Sequence, residues 1–133
     1  MTRTRTAVAV LICLSVAAAV SAAQPSQAPS GFNELQRVRL PESINLELVI
    51  GLVEREAEST SGKHHHPRGE LGFVLSGSVL VTTQDGRSQT LQAGDSFYQP
   101  PMEWHVVNTG ALGAKAVVFR VIEKGQPMVV PVE

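Results

Sequence analysis

The sequence predicts an all-β domain, an antiparallel sandwich or barrel, on the strength of three observations. From residue 34 onward, the 133-residue chain contains short runs that are rich in β-branched and aromatic residues. It contains no amphipathic stretch long enough to predict a helix. Glycine and proline, 11 and 8 in number, separate the runs at close spacing. Many short strands with this punctuation are typical of antiparallel sandwiches and barrels.

The predicted strands follow one another in a single series. Residues 44–53 alternate in part, and Ser76-Gly77 separates a run at 70–75 from a run at 78–84. Asp85-Gly86 then predicts a hairpin, because both residues tolerate positive φ. Turns are expected at residues 93–95 and at Pro100-Pro101. The remaining strands are predicted at residues 88–91, 96–99, 103–107, 114–123 and 128–132.

The amino-terminal segment is typical of an exported protein. Arg3 and Arg5 give it a positive start, residues 7–20 form an apolar run that is short for a membrane span, and small residues follow at 21–23. We therefore expect a signal peptide over residues 1–23 and a flexible Pro-, Ser- and Gln-rich leader over 24–33. A single domain over 34–133 would then be periplasmic or secreted, with no membrane contact after cleavage. An uncleaved amino-terminal anchor is the alternative.

Composition limits the metal ligands, nucleophiles and partners that the mature domain can have. Cleavage would remove Arg3, Arg5 and the chain's one cysteine, Cys13, leaving nine basic and twelve acidic residues. Disulfides, thiolate catalysis and cysteine metal ligands are then excluded. The basic residues are scattered and aromatic residues are few, so no nucleic-acid partner is predicted. Any metal site must use His, Asp and Glu.

The four histidines fall in two places, at 64–66 and at 105. Alternate residues of a strand share a face, so His64 and His66 should point together while His65 points away. Glu70 lies beyond a strand break at Pro67-Arg68-Gly69, so strand parity does not place it. Three imidazoles and a carboxylate suit a divalent transition metal, whether Fe, Mn, Ni, Cu or Zn. The alternatives are a solvated polar loop for the histidines and a surface carboxylate for Glu70.

The arrangement His64-x-His66-x3-Glu70-x6-Gly77 resembles the first conserved motif of the cupin superfamily. Gly94-x5-Pro100 followed by His105 and Asn108 is similar to the second motif, and the resemblance covers about residues 40–123. It implies a single-domain, jelly-roll-like antiparallel β-barrel. It also implies that one metal is held inside the barrel by His64, His66, Glu70 and His105.

Three positions depart from the family pattern. Glu58 stands where the first motif opens with glycine, and Met102 stands where the second motif has its turn glycine. Asn108 follows His105 by three positions, whereas the family asparagine usually follows by four. These departures concern turns, so they put loop geometry in question more than metal binding.

Further residues are candidates for chemistry at the same site. Glu103 shares strand parity with His105 and would act there as a base, although a solvated carboxylate is the alternative. Tyr98 would donate a hydrogen bond, and Glu70 would also shuttle a proton. Arg120 is expected to be an outward-facing charge, with pairing to a carboxylate as the alternative.

The resemblance extends to small cupins of the quercetin-dioxygenase-like type. It implies a secreted, metal-dependent enzyme, oxygenase-like, that acts on a small phenolic or enediol molecule; isomerase and decarboxylase chemistry stay open. A non-catalytic periplasmic module that binds a small ligand or a metal is the alternative function, and a metal-free structural barrel is a third. A homodimer, formed through sheet edges or the segment from Glu34, is also implied by the resemblance.

Overall fold

The computed structural model describes residues 31–40 and 45–133, which form eight β-strands and no helix. The predicted all-β class is confirmed. The expected signal peptide and residues 24–30 of the expected leader lie outside the described residues. The strands are β1 (Gly31–Arg39), β2 (Leu46–Arg55), β3 (His64–His65), β4 (Glu70–Thr83), β5 (Ser88–Gln92), β6 (Ser96–Gln99), β7 (His105–Glu123) and β8 (Val130–Pro131).

All strand pairs are antiparallel, and β7 organises the sheet. The order β1-β2-β7-β3-β8 runs through it, and β4 pairs with β7 on one side and with β5 and β6 on the other. The sheet curls so that alternate residues face a common interior. A cluster of buried apolar residues in that interior consists of Val74, Val79, Val81 and Leu91. Because valine is β-branched, it combines high strand propensity with good packing in this position.

Two pairs of predicted strands are in fact continuous. Ser76-Gly77 does not end β4; the register shifts on both sides of this dipeptide, and Gly77 has a φ of 73°. The predicted strands at 103–107 and 114–123 likewise belong to one strand, β7. A bulge adds an unpaired residue and bends a strand without ending it, and sequence patterns resemble a turn at such a place.

At the amino-terminal side, β1 begins at Gly31 and pairs with β2 from Gly31 to Arg39. The domain's first strand therefore starts three residues before the expected boundary at residue 34. Most of β1 is exposed, and its polar sequence has little hydrophobic alternation. It is a strand because it pairs with the free edge of β2, and this tertiary contact cannot be predicted from the local sequence of β1.

The predicted hairpin at Asp85-Gly86 and the turn at Gly94 are both present. Gly86 and Gly94 have φ values of 83° and 98°, in the left-handed region that favours glycine. The hairpin closes with a hydrogen bond from the Thr83 amide to the Arg87 carbonyl oxygen at 2.9 Å. These turns set β6 against residues 70–73 of β4 and β5 against residues 78–82 of the same strand.

The two missing family glycines coincide with the two non-glycine residues of positive φ in the described part of the chain. Glu58 has a φ of 52° and Met102 a φ of 65°. The turns therefore keep a glycine-like backbone although the glycines are absent. A side chain in this region costs about 1–2 kcal/mol, so both turns carry local strain.

Met102→Gly is therefore expected to stabilise the domain. Met102 is 63% exposed, so little packing is lost when its side chain is removed. Relief of the left-handed conformation, less the entropy that glycine adds to the unfolded chain, should raise the free energy of unfolding by roughly 0.5–1 kcal/mol. Chemical denaturation measures this change. Met102→Ala serves as the control, because it truncates the side chain but keeps the strain; equal stability of the two variants would contradict the argument.

Candidate metal centre

Strand pairing brings the distant histidines together. His64 in β3 lies directly opposite His105 at the start of β7, and His66, two residues further on, reaches the same side. The three ring centroids lie 4.3 to 5.2 Å apart. One nitrogen from each ring lies within 4.8 Å of the other two. All three side chains are buried.

The tautomers of two rings are set by main-chain carbonyls. His66 Nδ1 lies 2.9 Å from the carbonyl oxygen of Met128, and His64 Nδ1 lies 3.1 Å from that of Gly62. A carbonyl oxygen only accepts, so each Nδ1 carries the proton and each Nε2 presents a lone pair. Metal-ligating histidines are usually held in this way, by a hydrogen bond from the nitrogen that does not bind the metal.

The donor set fits a divalent metal on the structure's own evidence. His66 Nε2 is buried and has no hydrogen-bond partner among the described residues, and a buried polar atom without a partner costs free energy. Burial lowers the pKa of His66 to about 4 and that of His105 to about 3, and it lowers the pKa of His64 as well. The rings are therefore neutral at physiological pH, the state in which imidazole binds a metal.

Glu70 lies beside the histidines but is also bound to an arginine. Its Oε2 is 3.6 Å from His66 Nε2 and accepts a hydrogen bond from Arg120 Nε at 2.5 Å. Gly69, with a φ of 79°, and a hydrogen bond from its amide to the His66 carbonyl oxygen make the turn that returns the chain to Glu70. Burial raises the pKa of Glu70, and Arg120 opposes that rise. Its role as a fourth ligand stays a prediction.

Arg120 does not face solvent as expected. It is 7% exposed and lies two residues from both Val118 and Ile122 on β7. Residues two apart on a strand share a face, so all three side chains point into the barrel. The ion pair with Glu70 permits this burial, since an unpaired charge there would be costly. The expectation of an outward charge is wrong: the apolar residues at 118 and 122 on the same face of β7 indicate that this face lies inside the barrel.

The structure does not bring Tyr98 or Glu103 to the three histidines. Tyr98 is 61% exposed and lies on the outer face of β6, whereas its neighbour Gln99 is 6% exposed and faces inward. Glu103 is exposed and precedes β7, so it does not share the strand parity of His105. Both line a separate cavity whose wall includes none of the three histidines. His65 lies outside the histidine cluster, as the parity argument predicts.

Two inward-facing polar residues were missed by sequence reasoning. Gln99 lies on the wall of the inner cavity, and Arg55 lies at the end of β2, where it contributes to the same wall. Arg55 continues the alternation of Val49, Gly51 and Val53, and Val49 is 1% exposed. The signal that would have found Arg55 is this parity: an arginine at an inward position of an otherwise apolar strand.

His64 lines two adjoining cavities, and His105 lines the inner one of the two. The inner cavity has a volume of about 70 Å³, and its wall includes His64, His105 and the apolar core. The outer cavity has a volume of about 380 Å³ and is lined by residues from β1, β2, β3, β7 and β8. Val53, Arg55, His64 and Arg120 line both cavities. The candidate centre is thus accessible from outside the barrel.

Burial of neutral histidines predicts that the metal-free protein loses stability as the pH falls from 7 to 5. The unfolded chain takes up protons on histidine near pH 6.5, whereas folded His66 and His105 do so only near pH 4 and 3. The unfolded state therefore binds more protons in this window, and stability falls with pH. Glu70, whose pKa burial raises, acts in the opposite direction but is one group against three histidines. We expect a loss of about 2 kcal/mol.

Urea denaturation with a chelator present, at pH 7 and at pH 5, measures the effect. His66→Gln, which removes one of the three rings whose pKa burial lowers, should lessen the pH dependence. Stability that is constant or increases toward pH 5 would contradict the neutral state of the histidines.

Comparison with known proteins places the chain among proteins of this fold. The family model described as Cupin domain matches residues 51–123, more than half of the chain. Gentisate 1,2 dioxygenase 1 of Aquipseudomonas alcaligenes is 29% identical over 75 residues, which cover 56% of this chain and 20% of that protein.

Solved structures show the same fold at low identity. DMSP lyase DddQ from Ruegeria pomeroyi has a TM-score of 0.54 and 21% identity, covering 68% of this chain and 44% of that one. Oxalate decarboxylase from Bacillus subtilis has a TM-score of 0.53 and 23% identity, covering 72% of this chain and 27% of that one. The chain thus spans less than half the length of each of these relatives.

Proposed function

The chain belongs to the cupin family, and from that premise we propose that it is a metal-dependent enzyme, oxygenase-like, acting on a small phenolic or enediol molecule. The buried histidine cluster beside a solvent-accessible cavity carries this proposal. The similarity to a dioxygenase supports the reaction class. One divalent transition metal would be held by His64, His66, His105 and Glu70.

Different residues of the chain would bind the metal, orient the imidazoles and exclude water at this site. A bound divalent metal would supply Lewis-acid polarisation or, with a redox-active ion, oxygen activation. The main-chain carbonyls of Gly62 and Met128 hold two imidazoles in one tautomer. Val74, Leu91 and the rest of the apolar wall exclude water from the inner cavity.

In this proposal Glu70 is the residue that moves a proton. Arg120 binds its Oε2, which leaves Oε1 to accept a proton from a substrate hydroxyl or to join the metal as a ligand. The raised pKa of this buried carboxyl brings it closer to the range that general acid–base catalysis requires. A substrate hydroxyl in the inner cavity would lie beside this carboxyl and the histidines.

Metal analysis followed by oxygen-consumption assays tests the proposal. Protein loaded separately with Fe(II), Mn, Ni, Cu and Zn is assayed against a panel of catechols, hydroxybenzoates, flavonols and enediols. His65→Ala is the matched control for His66→Ala, because His65 is adjacent in sequence but outside the cluster. Turnover that is lost with His66→Ala and kept with His65→Ala is expected; no metal binding under anaerobic, metal-replete conditions would contradict the proposal. Metal binding without turnover would favour the non-catalytic binding module instead.

We further propose that the protein is periplasmic or secreted and forms a homodimer. Support for the dimer comes from the outer face of the sheet, where Leu71, Phe73 and Leu75 are 54%, 41% and 47% exposed. Adjacent exposed apolar side chains of this kind are typical of interaction surfaces. Light scattering should show a dimer that Phe73→Lys weakens. Leu112→Lys, which alters a residue 92% exposed elsewhere on the sheet, should leave the dimer intact; a monomeric parent protein would contradict the proposal.

A further inference from the structure

The space beside the three histidines has an excess of positive charge. Arg55 and Arg120 line both cavities, and Lys63 lines the outer one. Glu70 is the acidic residue of the inner wall; Glu54, in the outer wall, forms an ion pair with Lys115. One carboxylate therefore faces two guanidinium groups, and a divalent cation at the histidines would add to the imbalance.

Arg120 is held in a fixed position. Its guanidinium donates to Glu70 through Nε and also contacts Glu70 through Nη2. The ring of Phe32 lies 4.9 Å from the guanidinium carbon, a distance at which an arginine is attracted to an aromatic face. Because β1 supplies Phe32, the amino-terminal strand helps to orient Arg120 at the junction of the two cavities.

Arg55, in contrast, has no hydrogen bond or ion pair from its guanidinium among residues 31–40 and 45–133. It is half-buried and faces inward at the end of β2. Burial lowers its pKa, and the charges that act on it are those of Glu70 and Arg120. A half-buried guanidinium without a partner costs free energy that a bound anion would recover.

The dimensions of the cavities indicate how a ligand would lie. The inner cavity, at about 70 Å³, has room for a small polar group, whereas the outer cavity, at about 380 Å³, has room for a molecular body. The two arginines lie where the cavities meet. A planar carboxylate, with two oxygens matched to the donor fork of a guanidinium, suits this position.

We propose that Arg55 and Arg120 bind a carboxylate of the substrate at the junction of the two cavities, beside the histidine cluster. The body of the molecule then occupies the outer cavity, against Phe32 and Val53. The inference rests on the proposed function and narrows it, from small phenolic or enediol molecules to those that carry a carboxylate. Because Arg120 also positions Glu70, its substitution would affect more than anion binding. Substitution of Arg55 therefore tests anion binding separately.

Paired acids and amides test the inference by calorimetry. Benzoate is compared with benzamide and malonate with malonamide, because each amide keeps the shape of its acid and removes charge. Binding is measured on protein loaded with zinc, which is redox-inert, and again on metal-free protein. The variants are Arg55→Gln, Arg55→Lys and, as the control, Arg87→Gln, in which an arginine 83% exposed on the β4–β5 hairpin is changed.

The expected result is that at least one acid binds about tenfold or more tightly than its amide. Arg55→Gln should remove most of that preference, Arg55→Lys should restore part of it, and Arg87→Gln should leave it unchanged. The inference is overturned if neither acid is preferred over its amide, or if the preference survives in Arg55→Gln. Failure of the proposed function gives a different result, because the protein would then retain no zinc. The comparison on metal-free protein would still decide whether Arg55 selects an anion.

Discussion

His66→Ala is expected to abolish metal retention, with a fall of at least about a hundredfold in zinc affinity. His66 is 1% exposed, its Nδ1–H donates to the Met128 carbonyl oxygen, and its Nε2 belongs to the cluster. Alanine removes one of the three imidazoles of the cluster. Competition titration against a chromophoric chelator measures the affinity.

His65→Ala provides the matched comparison for this result. The two substitutions remove the same side chain from adjacent positions, and only His66 belongs to the cluster. His65→Ala should therefore bind zinc within about threefold of the parent protein, an effect of less than 1 kcal/mol. Circular dichroism establishes that both variants are folded. Equal affinities in the two folded variants would contradict the placement of His66 as a ligand.

Arg120→Met is expected to destabilise the metal-free domain by about 3–5 kcal/mol. The substitution keeps an apolar stem in the barrel but leaves Glu70, 7% exposed, without its cationic partner. Removing one member of a buried pair is costly because the other charge stays in a poorly solvated site. The contact between the guanidinium and Phe32 is lost as well. Urea denaturation measures the change in the free energy of unfolding.

Two further variants distinguish the cost of breaking the buried pair from the cost of removing any arginine. Arg68 pairs with Glu123 on the surface, where both side chains are more than two-fifths exposed, so Arg68→Met should cost no more than about 1 kcal/mol. Adding Glu70→Gln to Arg120→Met removes the stranded charge and should recover part of the loss. A cost below about 1 kcal/mol for Arg120→Met would contradict a structural role for the pair.

The part of the site that sequence predicts well is the part governed by local geometry. His64 and His66 share a side because residues two apart in an extended chain do so, and the pairing of His64 with His105 follows from the fold that the motifs imply. The turn at Pro67-Arg68-Gly69 is likewise encoded locally, because Gly69 adopts the positive φ that the turn requires.

The remaining features depend on tertiary contacts that local sequence does not report. Tyr98 and Gln99 are neighbours, and only the curl of the sheet decides that Gln99 faces inward. Arg120 is buried because Glu70, fifty residues away, neutralises it. Ser76-Gly77 looks like a turn, but pairing of β4 with β7 on both sides of it makes it a bulge. Each case needs a partner distant in sequence.

X-ray absorption spectroscopy of the zinc-loaded protein, with the metal content measured on the same sample, tests the central claim most directly. We predict one zinc ion per chain and the scattering pattern of three imidazole ligands, at metal–nitrogen distances of about 2.0–2.1 Å. A fourth oxygen ligand at a similar distance would identify Glu70 or water. Less than one ion per chain, or fewer than three imidazoles around it, would contradict a metal centre built from His64, His66 and His105.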